Sequence, residues 1–216
     1  MRYLIAMVLC LAVTGTLQAQ QETQTPEQRI AQLEARIASL EKRMQPLLIE
    51  HEIRLRTVTK RKLAQQRMRK DRETYTQEQL KAMETLYQEA NKNLSGEGSK
   101  AKLIQVVQDY GKSNRAGCAL VYLGQITTGD EQVQYLLQAI ESHGDCFYGN
   151  GVQVGSYARL ILAVRYANDK EYDKAEKLLT EILEQFPRSL DHKGQPLELS
   201  IDQVRKQINA AKQQQQ

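Results

Sequence analysis

The chain has 216 residues, with 30 lysines and arginines against 26 aspartates and glutamates, for a formal charge of +4. That excess is too mild to point to nucleic acid, the length suits one modest domain with an appendage, and no run supplies the ~20 apolar residues of a membrane helix. Tryptophan is absent, there are 4 prolines, and Gln, Glu, Lys, Leu and Ala are plentiful, a composition that favours an all-α fold.

Residues 1–19 read as a signal peptide. Met1-Arg2 is a short positive start, Tyr3 to Val13 an apolar run, and Leu17-Gln18-Ala19 a cleavage site before Gln20. Cys10 lies inside the apolar run behind Leu9, a poor site for lipid attachment. The mature chain, less the charge of Arg2, is therefore expected to be periplasmic or secreted.

Residues 25–49 read as a short coiled coil. Thr25 and Gln28 form a capping box around Pro26, a residue suited to a first helical turn. Ile30, Leu33, Ile37, Leu40, Met44 and Leu47 then follow spacings of 3, 4, 3, 4 and 3. This is a heptad seam whose a and d residues suit a parallel pair, with Arg29 and Arg36 at g opposite Glu34 and Glu41 at e. It predicts a homodimer, or another homo-oligomer. The rival is a helix folded back on its own repeat domain. Fewer than three heptads are marginal alone, and Pro46 is expected to disturb the helix.

Residues 50–75 form a basic helical connector. Arg54, Arg56, Lys60, Arg61, Lys62, Arg67, Arg69, Lys70 and Arg72 stand against one acid, Asp71. At helical spacing they occupy two sides of the helix. Two readings stay open: a solvated linker, or a surface for anionic lipid or lipopolysaccharide through Arg61, Lys62, Arg67 and Arg69. No aromatic residue interleaves the run before Tyr75, which argues against single-stranded nucleic acid.

Residues 76–212 read as helical hairpins. Thr76 to Gln79 is a second capping box, and Leu80, Met83, Tyr87, Ala90 and Leu94 share one helical face. The loop Ser95-Gly96-Glu97-Gly98 ends that helix, and Ser99 is expected to cap the next, which ends Tyr110-Gly111-Lys112-Ser113. A middle hairpin carries Ala116, Ala119, Leu120, Leu123 and Gly124, turns at Gly129-Asp130, and continues with Val133, Leu137 and Ile140. His143 to Gly155 is an insertion. Ser200 is expected to cap a last helix with Ile201, Val204, Ile208 and Ala211, and residues 213–216 form a disordered tail.

Ser156 to Ser189, with Leu162, Ala163, Tyr166, Ala175, Leu179 and Pro187, resembles one 34-residue tetratricopeptide unit. The resemblance is good there, moderate over Ser113 to Ile140 and weak before Ser99. It implies an all-α fold of about three antiparallel hairpins plus a C-terminal capping helix, with an N-terminal coiled-coil arm. The layout, and the joint Tyr110 to Ala116, are also similar to the periplasmic coiled-coil/tetratricopeptide family of the Tol–Pal envelope system. That likeness implies an envelope scaffold acting by protein–protein contact. The basic run after Pro46 is not expected in that family.

By the same resemblance, a partner groove lies along the first helix of each hairpin, at Tyr157, Leu160, Val164, Ala167 and Asn168. The Lys and Asn clamp of chaperone-adaptor repeats is missing. Phe147 and Tyr148, in a loop flexed by Gly149 and Gly151, are either an exposed anchor or a seal between hairpins. Cys118 and Cys146 could form one disulfide or remain two buried thiols. His51, His143 and His192 match no catalytic motif, and His143, Cys146 and Cys118 make a weak metal set. The expectation is no enzyme, no cofactor and no metal, with an envelope protein as partner.

Overall fold

The computed structural model describes residues 25–214 apart from Ser95 and Glu97. The expected leader, its cleavage site and Cys10 lie outside the described residues, as do the last two glutamines. The described residues carry eight α-helices: α1 Pro26–Lys70, α2 Gln77–Lys92, α3 Ser99–Asp109, α4 Asn114–Ile126, α5 Gly129–His143, α6 Val154–Asn168, α7 Tyr172–Gln185 and α8 Leu197–Gln213. A 3-10 turn, Asp71–Glu73, follows α1. Contacts divide the chain into two units, Met1–His51 and Glu52–Gln216.

In the first unit, Thr25 and Gln28 exchange the expected bonds, Thr25 N–H to Gln28 Oε1 at 3.0 Å and Gln28 N–H to Thr25 Oγ1 at 3.3 Å. The helix continues through Pro46 instead of ending near it. Proline removes one N–H, but the turn around it is solvent-exposed, so water can satisfy the carbonyl left over, and good helix formers flank it. Ile30, Leu33, Ile37, Leu40, Met44 and Leu47 are all half or more exposed.

In the second unit, each helix from α2 to α8 packs on its neighbour in sequence, and α2 with α4, α4 with α6, and α6 with α8 also touch. Helices that meet two layers must be apolar nearly all round. Accordingly α4 buries Ala116, Gly117, Cys118, Ala119, Leu120, Val121, Leu123 and Gly124, with only Tyr122 between them partly open. In α6, Leu162 belongs to a core shared with α2–α5, while Leu160 and Ala163 belong to a second core with α7 and α8. A Cβ on Gly124 would lie 2.6 Å from Leu136 Cδ2, so the α4–α5 crossing needs glycine there.

Several local expectations shift. Ser99 is not a cap; Gly98 precedes it at φ 82°, and the Ser99 hydroxyl donates instead to the Asn93 carbonyl at 2.6 Å. The α5 stripe is Leu136, Ala139 and His143, so Leu137 is 36% exposed. Gly129, at φ 64°, turns the chain as expected and is also the first residue of that helix. The last helix starts at Leu197, not after Ser200, because a bridge between Leu190 and Pro196 closes the preceding loop.

Candidate binding surface

Tyr87 on α2 stacks on Tyr122 of α4, with centroids 5.7 Å apart. Tyr122 meets Tyr148 edge-on at 5.5 Å, and Tyr148 meets Tyr157 of α6 at 6.4 Å. His192, from the loop before α8, stands 4.6 Å from both Tyr148 and Tyr157. The row thus crosses α2, α4 and α6, the helices that touch their second neighbours. Edge-to-face and offset pairs of this kind add to the burial of each ring. Arg115 closes one end, its guanidinium 4.4 Å above the Tyr87 ring and bonded to both oxygens of Glu84 at 2.7 and 2.8 Å.

Burial decides which rings could meet a partner. Tyr87 and Tyr148 are 2% and 4% exposed, and burial pushes both phenols well above their ordinary range. Tyr122 and Tyr157 are half-buried and His192 is exposed, with the Gln125 amide 3.5 Å from the Tyr157 hydroxyl. This outer edge offers flat apolar faces beside a few donors and acceptors.

The five expected groove residues separate. Leu160 is buried beneath α8 and Ala167 packs on the same core, so neither lines an open groove. Val164 and Asn168 are exposed, and Tyr157 joins the aromatic row. Tyr122 and His192 were not foreseen. The signal for them is their spacing: Tyr87, Tyr122, Tyr157 and His192 recur at intervals of 35 residues. Phe147 and Tyr148 are not an exposed anchor. Their loop is pinned by a Phe147–Gln153 bridge and turned inward, as the sealing alternative requires.

Asn114 does the pinning. Fully buried at the start of α4, it donates to the Phe147 carbonyl and accepts from the Phe147 N–H, both at 2.7 Å. Its own N–H is shared by the two oxygens of Asp71 at 3.0 Å. Asp71 in turn accepts from Arg67 at 2.8 Å, and Arg67 also bonds Asp145 at 2.9 Å and the Lys112 carbonyl at 3.3 Å. Arg67, counted from the sequence among the residues for an anionic surface, is therefore consumed within the fold.

Cys118 and Cys146 are free and buried, each aimed at its own carbonyl, Phe147 at 3.4 Å and Ser113 at 3.9 Å. Burial pushes the Cys118 thiol up to about 12 and the Cys146 thiol higher still, which leaves both protonated and weakly nucleophilic at neutral pH. His143 Nδ1 lies 3.9 Å from Cys146 Sγ, and among the described residues no group of three or more His, Cys, Asp or Glu is placed to hold a metal. Among them, too, no helix is long and apolar enough to cross a membrane.

Comparison with protein-family models, curated proteins and solved structures gives no match.

Proposed function

We propose that the protein is a non-enzymatic scaffold of tetratricopeptide-like hairpins that takes a segment of a partner protein along the edge of its tyrosine row. The observation that carries this reading is the row itself, continuous across α2, α4 and α6 and half-open at Tyr122, Tyr157 and His192. Helices that pack on their neighbours, mostly through short connectors, with contacts between alternate helices, support a stack of hairpins. Aromatic side chains that present a flat face and a polar tip are suited to anchoring a partner. Self-association through the exposed heptad seam of α1, after export and removal of residues 1–19, completes the proposal.

The test is a photo-crosslinking side chain at Gln125, beside Tyr122 and Tyr157, compared with one at Lys177 on the exposed side of α7. A discrete adduct from Gln125 in intact cells, lost when Tyr122 and Tyr157 become alanine in a protein that keeps its helicity, supports the groove. Equal adducts from Lys177, or indifference to the tyrosine changes, refute it. A mature protein that retains Met1 refutes export.

A further inference from the structure

The basic run of α1 divides by face. Arg56, Lys60, Ala64 and Arg67 lie on the side that packs on the rest of the second unit. Arg56 pairs with Glu52 at 2.9 Å and Glu198 at 2.8 Å, and Arg67 with Asp71 and Asp145. Gly151 is the other half of that contact. At φ 96°, a Cβ there would lie 3.0 Å from the Lys60 carbonyl carbon and the Arg61 nitrogen.

The opposite side is built differently. Leu55, Val58, Lys62, Gln65 and Arg69 follow one another at spacings of 3, 4, 3 and 4, with Arg61 beside them. Val58 is 62% exposed, and Leu55, at the edge of this side where it also borders a cavity with Pro187 and Arg188, is 52% exposed. Arg61, Lys62 and Arg69 are exposed and enter none of the ion pairs or hydrogen bonds of the described residues. No acid occurs between Ile53 and Lys70. A face of two bare aliphatic side chains among cations, with no anion of its own, calls for an anionic partner that also has an apolar layer.

A second copy of the chain does not meet that description. Continuing the heptad of Ile30, Ile37 and Met44 puts Arg54 and Arg61 at successive d positions. A parallel copy would there bring arginine against arginine. The seam therefore stops short of this face.

We infer that the side of α1 formed by Leu55, Val58, Arg61, Lys62 and Arg69 docks on an anionic phospholipid surface. The three cations lie over the phosphate headgroups and the two aliphatic side chains enter the headgroup boundary. The attachment is peripheral and reversible, and it does not depend on the tyrosine row. Each basic residue near such a surface raises partitioning about fivefold, so the three together account for about a hundredfold.

The experiment is co-sedimentation of the mature chain with vesicles of phosphatidylcholine alone, or with about a third phosphatidylglycerol, at low and at ~1 M salt, where the Debye length shrinks to about 3 Å. Binding is expected on anionic vesicles only and is abolished by salt. Arg61→Gln, Lys62→Gln and Arg69→Gln together lower it about a hundredfold without altering helicity, and Arg61→Lys, Lys62→Arg and Arg69→Lys restore it. Arg67→Gln lowers thermal stability but leaves vesicle affinity unchanged. Equal binding to neutral vesicles, an unaffected triple glutamine variant, or an equal loss with Arg67→Gln overturns the inference. So does binding to lipopolysaccharide or a single-stranded oligonucleotide with none to the vesicles.

Discussion

Replacing Asn114 with alanine removes a side chain that bonds both the N–H and the carbonyl of Phe147 at 2.7 Å. The Phe147 N–H is then left buried without an acceptor, and its carbonyl keeps only the Cys118 thiol at 3.4 Å. A buried polar group stripped of its partner costs roughly 1–3 kcal/mol. Alanine at the first position of α4 returns about 0.5 kcal/mol of helix propensity. With roughly 1 kcal/mol more for the amide donor lost by the carbonyl, the net loss is about 1.5–3.5 kcal/mol, a fall in Tm of roughly 3–14 °C for a domain of this size. Asn114→Asp sharpens the test. It keeps an acceptor for the N–H, loses the donor to the carbonyl, and sets a second carboxylate beside Asp71, whose oxygens already hold the Asn114 N–H at 3.0 Å. At neutral pH the aspartate variant should be no more stable than the alanine one. Its new carboxyl, raised by burial, contributes stability at low pH that is lost as pH rises, so it should gain on Asn114→Ala as pH falls towards 4. Denaturant unfolding followed by circular dichroism measures both. A loss below ~1 kcal/mol for Asn114→Ala, or an Asn114→Asp protein as stable as the wild type at pH 7, refutes the role given to this bond pair.

Three further outcomes follow from the same geometry. Gly151→Ala forces a Cβ against the backbone of α1 at positive φ, at a cost of roughly 1–2 kcal/mol. Trypsin should then cut at Arg61 and Lys62 about ten times faster, and an unchanged rate argues against this contact. Partial desolvation against the Tyr148 and Tyr157 rings, opposed by Asp191, lowers the His192 imidazole below its usual 6.5, although the side chain still reaches solvent. The native state thus favours the neutral ring. Its contribution is present above pH 6.5 and is lost as pH falls through the lower folded value. Amide exchange in the 189–196 loop, corrected for intrinsic rates, should quicken between pH 7 and 5, and His192→Phe should abolish that dependence. Ile37→Asp with Leu40→Asp puts charge into the α1 seam. The variant should sediment as a monomer where the wild type does not, and a wild type that is itself monomeric defeats the self-association proposal.

How far residue patterns could go differs element by element. The all-α fold and both capping boxes were legible because a cap is a local event, settled by residues three apart. In the α5 stripe Val133 and Ile140 pack on the core as expected, and only Leu137 was taken for its buried neighbour Leu136. Leu136 and Leu137 are both apolar, and only Gly124, from the facing helix, selects Leu136. Ser99 and Ser200 have the right chemistry for caps, but neighbouring backbone takes precedence: the Asn93 carbonyl claims the first hydroxyl, and the Leu190–Pro196 bridge delivers the chain into helix before the second. Phe147 and Tyr148 looked mobile because glycines flank them. Yet Gly151 is there to let the loop approach α1 closely, which turns the aromatics inward.

The basic run shows most clearly where local reading stops and why. Eight cations on the second half of one helix, with Arg72 just past its end, look equivalent, since composition assigns each the same charge. What separates them is the position of acids remote in sequence: Asp145 is 78 residues from Arg67, and Glu198 is 142 from Arg56. Once those carboxylates select one side, packing of α1 consumes the arginines that face them. Such pairs are partly desolvated, so losing either partner strands a charge and is costly. Arg61, Lys62 and Arg69 carry no such obligation, and the fold loses little if they are exchanged. Stability therefore gives no reason for three cations and two bare aliphatic side chains to share that side, and attraction to an anionic surface gives one. The two sets should respond in opposite ways: Arg67 substitutions in Tm, and the outer three in the salt-dependent distribution of the protein between solution and vesicle.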